Sequence, residues 1–264
     1  MLSLLRSAVA VVLVASTLPA VALARTATPL QDHRQMIVVT TEDWDAPQGR
    51  LQAYVRTAKG WQPQGEAFDV AVGRSGSAWG VGLLPAPGGS AAQQPGEPVK
   101  QEGDGRSPAG VFALGTAFGY AATADTALPY QPMLASSYCM DVPDSPYYNR
   151  IVDAEVVGTD AVEGSTEPMR LDLHDPGDVR YREGFVIEHN PRAEPRRGSC
   201  IFAHLWRTPG EATSGCTAMQ PGHMAALLKW LDPVQKPVFV LLPRAQYQRL
   251  QKDWNLPLLA GAPR

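Results

Sequence analysis

The segment "IFAHLWRTPGEATSGCTAM", Ile201 to Met219, holds a short apolar run ending on a histidine, an eleven-residue loop, and a cysteine set in a turn. The apolar run predicts a buried strand, and a strand end fixes the backbone of His204. The loop carries Thr208, Pro209 and Gly210, so it is able to fold back and bring Cys216 to the imidazole. A free cysteine is mostly thiol at neutral pH and becomes a strong nucleophile when a base or positive surroundings lower its pKa. Gly215 permits backbone conformations that other residues resist and lets a substrate carbonyl come close. The backbone N–H groups of the turn, from Ser214 and Gly215 to Cys216, would then face a developing oxyanion, each such donor being worth roughly 3 kcal/mol in the transition state. Taken singly, a cysteine beside a glycine also suits a disulfide, and a histidine at a strand end also suits a structural role. The two together, in this order, point to nucleophilic catalysis.

On either side of this segment the chain reads as mostly β. "GFVIEHN" and "KPVFVLLP" flank it as further buried strands, and "QMIVVT" (Gln35 to Thr40) is a β-branched strand near the start. "RLQAYVRTAKGWQPQGEAFDVAVG" reads as two or three strands, turned at Lys59-Gly60 and at Gln64-Gly65. One helix stands out directly after the cysteine turn. Met224, Leu227, Leu228 and Leu231 form a single stripe, Pro221 suits the first turn, and Asp232-Pro233 ends it. Residues 121–183 read as a long irregular insertion or lid, and residues 246–264 as a peripheral tail.

Residues 1–24, "MLSLLRSAVAVVLVASTLPAVALA", have the form of a secretory signal. Arg6 supplies the positive start, Ala8 to Leu18 the apolar core, and Ala22-Leu23-Ala24 a small-x-small cleavage site. The apolar run is short for a membrane span, which needs ~20 strongly apolar residues. Residues 25–34 then read as a linker and 35–245 as one domain. The expected location is the periplasm or the cell exterior. The formal charge of −3 becomes −4 without Arg6, which offers no basic field for nucleic acid. Three cysteines in an oxidising compartment suggest one disulfide and one reactive thiol.

His204 followed by "SGCTAM" (Ser214 to Met219) resembles the YkuD-type L,D-transpeptidase catalytic domain, whose signature is a histidine, a loop, and Ser-His-Gly-Cys or a close variant. "EGDGRSPAGVF" (Glu102 to Phe112) is similar to that family's upstream GDGxTPxGxF segment. The sequence departs from the signature where Thr213-Ser214-Gly215-Cys216 lacks the histidine before the glycine, and where Ala218 stands in place of an arginine. Arg207, Arg150 and the Arg196-Arg197 pair are candidates to supply the missing charge.

The resemblance implies a β-sandwich-like fold with the cysteine in a groove, and peptidoglycan stem peptides as substrate. Cys216 would attack the carbonyl before a D-alanine, with His204 moving the proton and a backbone carbonyl orienting the imidazole. It implies no cofactor and no metal, and the chain contains neither HExxH nor CxxC. If Cys216 stays free, Cys139 and Cys200 are left to pair, the rival being a Cys200–Cys216 bridge. Trp206, Arg207 and Asn190 are candidates for contact with substrate. Three functions remain open on this reading: a transpeptidase, a carboxypeptidase or amidohydrolase using the same site, and a wall-binding protein whose cysteine turn is structural.

Overall fold

A computed structural model describes residues 29–84 and 92–259. The expected signal segment and the first part of the linker lie outside the described residues. Strand β1 (Gln35–Thr41) is buried at every position, as its Met-Ile-Val-Val run requires. A strand apolar on both faces belongs inside a sheet. It lies antiparallel to β2 (Gln48–Thr57), which returns as β3 (Gly60–Ala71). The turn expected at Gln64-Gly65 is instead a bulge within β3. Gly65 has φ +66°, the register shifts opposite Leu51 and Ala53, and Gln52 Nε2 donates to the carbonyls of Gln64 and Gly65 at 3.1 and 3.2 Å.

After β4 (Ser77–Trp79) comes β5 (Ser107–Gly119), which takes β4 and β6 (Tyr130–Pro132) as parallel partners. The segment expected to be irregular folds into a small sheet of its own, ordered β8-β7-β9, from β7 (Ser137–Cys139), β8 (Ile151–Asp153) and β9 (Glu167–Pro168). Single-turn helices α1 (Ala154–Val157) and α2 (Leu171–His174) flank it. Strands of two or three residues are too short to show an alternating pattern, which is why the sequence reads there as loop.

The remaining elements are β10 (Glu183–Ile187), β11 (Phe202–Leu205), β12 (Thr217–Met219), helix α3 (Pro221–Trp230), β13 (Val238–Pro243) and helix α4 (Arg244–Leu250). The protein is mainly β. Its large sheet runs β10-β11-β12-β3-β2-β1-β13-β5, and β10 also pairs with β5, so the sheet closes on itself in the manner of a barrel. The ladder between β12 and β3 rests on a single residue pair, Ala218 with Ala71. Helix α3 buries Met224, Leu227 and Leu228, with Leu231 just beyond its end. Each contributes about 2 kcal/mol of apolar burial.

The single expected helix is therefore one of several, and residues 246–259 are no loose tail. Tyr247, Leu250, Trp254 and Leu256 enter the main core with β1 and β13. Tyr247 donates to the carbonyl of Pro257 at 2.9 Å, and Trp61 Nε1 to that of Asn255 at 2.9 Å. The four apolar residues are irregularly spaced, so no periodicity marks them.

Cys139 on β7 is bonded to Cys200, just before β11, across a sequence separation of 61. The bridge fastens the small sheet to the strand that carries His204. A loop of this length corresponds to about 4 kcal/mol in the chain-entropy account. Cys216 is the free cysteine.

Candidate active site

His204 and Cys216 are brought to one place by two adjacent parallel strands. In the β11–β12 register His204 lies beside Ala218, and Cys216 stands two residues before Ala218. Cys216 stands just ahead of β12, so thiol and imidazole come from neighbouring segments, one pleat repeat apart in register. Both line a cavity of about 430 Å³. Ala218 beside His204 is buried and small, and the Tyr181 ring packs in one cluster with Cys216 and against the imidazole.

The imidazole has a defined tautomer. His204 Nδ1 lies 2.7 Å from the carbonyl oxygen of Leu205. A carbonyl only accepts, so Nδ1 carries the proton and Nε2 is the basic nitrogen. Burial, opposed by this hydrogen bond, pushes the His204 pKa down to about 4. The ring is therefore neutral at pH 7. The edge-on ring of Tyr181 packs against it with centroids 5.2 Å apart.

The thiol makes no hydrogen bond to the imidazole. Its Sγ accepts the N–H of Phe202 at 3.3 Å and donates to the carbonyl of Cys200 at 3.5 Å. Burial first, and then the negative charge of Glu167, push its pKa up to about 12. The resting site thus holds a neutral thiol and a neutral imidazole, and the expectation of a thiol ionised by its neighbour is not met in the unliganded protein. Ionisation has to accompany attack.

The cysteine turn is pinned by hydroxyls. Thr213 Oγ1 and Ser107 Oγ both donate to the carbonyl of Cys216, at 2.7 and 3.1 Å. Ser107 belongs to the "EGDGRSPAGVF" segment, so the two stretches singled out in the sequence meet at the nucleophile. Gly215 has φ +156°, and a Cβ there would stand 3.1 Å from the carbonyl oxygen of Arg106 in the same segment. Its N–H, expected to serve an oxyanion, donates instead to Thr213 Oγ1 at 3.1 Å. The N–H groups of Ser214 and Cys216 have no partner among the described residues, so they are the donors left to an oxyanion.

Trp206 and Arg207 line the cavity. Arg207 is engaged by Glu211 at 2.6 Å. Asn190 lies elsewhere and does not contact the cavity. It is fully buried at φ +50°, and its amide bonds the carbonyls of Glu194 (2.9 Å) and Gly198 (3.1 Å) and the N–H of Glu194 (2.9 Å), which makes it a turn anchor. His189 is likewise structural, with Nε2 on the Arg197 carbonyl at 2.9 Å and burial pushing its pKa down to about 4. Arg150 lines a separate cavity of about 410 Å³ on the far side of the disulfide.

Several cavity residues carry no local signal in the sequence. Arg74 reaches the cysteine turn, its Nη1 donating to Ser214 Oγ at 2.8 Å, and it has no acidic partner among the described residues. Arg180 is paired with the buried Asp178 at 2.5 Å, and the Arg180 carbonyl receives the N–H of Leu205 at 3.0 Å, bracing the histidine strand. Tyr181 donates to Glu167 Oε1 at 2.5 Å. Burial, opposed by that hydrogen bond, pushes the Glu167 pKa up to about 7. Arg74 comes from the connection between β3 and β4, Glu167 from β9, and Arg180 and Tyr181 from the stretch between α2 and β10, all well separated in sequence from the cysteine turn.

No group of side chains suited to a metal ion is found among the described residues, and no described helix is long and apolar enough to cross a membrane. Compared with known proteins, the chain matches no family model, no curated protein and no solved structure.

Proposed function

We propose that the protein is an exported cysteine acyltransferase of the L,D-transpeptidase kind, acting on peptidoglycan stem peptides. One observation carries the reading. An unbridged Cys216 and a His204 whose Nδ1 is committed to a backbone carbonyl open on the same cavity from neighbouring strands. That arrangement leaves Nε2 free to take the thiol proton as sulfur attacks an amide carbonyl and to return it to the leaving amine. The unengaged N–H groups of Ser214 and Cys216 supply the oxyanion contacts. The convergence of the "EGDGRSPAGVF" and "SGCTAM" segments through Ser107 supports kinship with the YkuD-type domain, and the closed sheet is read as that family's sandwich with its edges joined. The Cys139–Cys200 bridge supports export.

Arg74 lines the cavity with Ala218 and bonds Ser214, which supports it as the charge in place of the missing arginine, taking the carboxylate of the donor peptide. The test is to incubate the protein with a tetrapeptide stem ending in D-alanine and to weigh both protein and products. The expected result is a covalent adduct on Cys216 with release of D-alanine, both absent in Cys216→Ala. Release of D-alanine that persists in Cys216→Ala overturns the reading.

A further inference from the structure

The cavity holds a carboxylate that works against its own nucleophile. Glu167 lines the same cavity as Cys216, and its negative charge raises the thiol pKa. Glu167 is not neutralised by an ion pair among the described residues. Oε1 takes the hydroxyl of Tyr181, and Oε2 has no hydrogen-bond partner among the described residues. The charged and titratable groups around it are Asp141 across the small sheet, Arg180 and Tyr181 from the stretch before β10, and Cys216. Arg180 is already committed to Asp178. The insertion contributes the acids Asp141 and Glu167 to the cavity wall, and Glu102 joins them from the segment before β5. The cysteine loop contributes Arg207, and Arg74 comes from the connection between β3 and β4. Asp141 is occupied by Thr166, and Glu102 by Tyr148 and Ser199. Glu102 and Glu167 each leave one oxygen open among the described residues, and of the two it is Glu167 whose charge acts on Cys216.

An anion beside a thiol that must ionise is unfavourable unless a bound cation offsets it. A hydrolytic site has no need of one, because water carries no charge. An acceptor amine does, because it arrives as an ammonium ion and has to lose protons before and during attack. We propose that Glu167 binds the ammonium group of an acceptor amine beside the acylated Cys216 and takes its proton, so that the thioester is resolved by an amine in preference to water. This rests on the acyl-cysteine chemistry proposed above and names the acceptor of that site.

The step balances. One ammonium proton passes to the Glu167 carboxylate, and the freed amine forms a C–N bond to the thioester carbonyl as the C–S bond breaks. The second proton reaches the departing sulfur through His204. A carboxyl group titrating near neutrality suits the first transfer.

The experiment forms the acyl-enzyme with a tetrapeptide donor, supplies a second stem bearing a free side-chain amine, and measures amide product against free-acid product by mass. Only folded protein forms the acyl-enzyme, so the ratio is read on folded molecules. In Glu167→Gln the amide-to-acid ratio falls at least tenfold, and in Glu167→Asp it recovers in part. An unchanged ratio in Glu167→Gln overturns the proposal while leaving the cysteine chemistry intact. So does a slower acylation with the ratio preserved, which would place the carboxylate on the donor side. A wild-type protein that forms no adduct on Cys216 overturns the cysteine reading itself, and this proposal with it.

Discussion

His204 donates Nδ1–H to the carbonyl of its own neighbour, Leu205, at 2.7 Å. No carboxylate is needed to hold the tautomer, because the strand's backbone does it. The bond also fixes which nitrogen faces the cavity as a base. Substituting His204 by Gln is expected to lower the rate of Cys216 acylation by roughly 10²–10⁴-fold. Following D-alanine release with time in the two proteins checks this, and a loss of less than threefold would remove His204 from the chemistry.

The buried thiol should be slow towards alkylating agents. With a pKa near 12, its thiolate fraction at pH 7 lies about 10³-fold below that of an exposed cysteine. Iodoacetamide labelling of the non-reduced native protein is expected to be correspondingly slow. After unfolding without reductant, one cysteine alone should label, and peptide mapping should identify it as Cys216. Rapid labelling of the native protein would show that the thiol is already ionised.

The buried histidines make the fold acid-sensitive. His204 and His189 have folded-state pKa values near 4 against an ordinary value of 6.5. Below pH 6.5 the unfolded chain binds protons that the folded one refuses, so stability falls as pH drops towards 4. The loss is on the order of 3 kcal/mol for each histidine. Glu167, raised to about 7, acts in the opposite sense, since the folded protein keeps a proton that the unfolded one releases between pH 4.5 and 7. Two histidines outweigh one carboxyl. Urea denaturation midpoints at pH 7 and pH 4.5 should therefore differ, with the acidic one lower, and His189→Gln should narrow the gap.

Reducing the Cys139–Cys200 bridge is expected to cost about 2–5 kcal/mol. Because the bridge joins the small sheet to the histidine strand, the Cys139→Ala/Cys200→Ala variant should also lose D-alanine release beyond what its lower melting temperature explains. Thermal unfolding and activity measured well below the transition separate the two effects.

Gly215→Ala should slow acylation by tenfold or more without unfolding the protein. The added Cβ meets the Arg106 carbonyl at 3.1 Å in a backbone conformation that side chains rarely adopt. The turn must shift, and the Ser214 and Cys216 N–H groups shift with it. An unaltered acylation rate would show that the turn geometry is not used.

The features visible in the sequence are those written along continuous stretches of chain. The stripe from Met224 to Leu231 repeats at the helical period, and the apolar runs of β10, β11 and β13 are unbroken over a strand's length, so each shows its own burial. His204 and Cys216 are joined by one short loop, so their spacing alone suggests the encounter. Glu167, Tyr181, Arg180 and Arg74 are different. Each reaches the cavity through folding of a distant segment, and a lone acid or arginine in a polar stretch looks the same whether it faces solvent or the nucleophile. The donor role expected of Gly215 fails for a similar reason, since the hydroxyl of Thr213 competes for its N–H. Asn190 shows the reverse case, a polar residue beside a histidine that fastens a turn.

The closed sheet has one weak rung. Between β12 and β3 the ladder is held by Ala218 and Ala71 alone, two residues past Cys216. Local opening proceeds where the fewest bonds must break, so amide hydrogens along β12 should exchange with deuterium before those of β1 or β13. A peptide lying across that seam would lend it contacts that the empty protein lacks. Occupancy by substrate would then register as slowed exchange at Thr217 to Met219, a signal that can be followed before any bond has been made or broken.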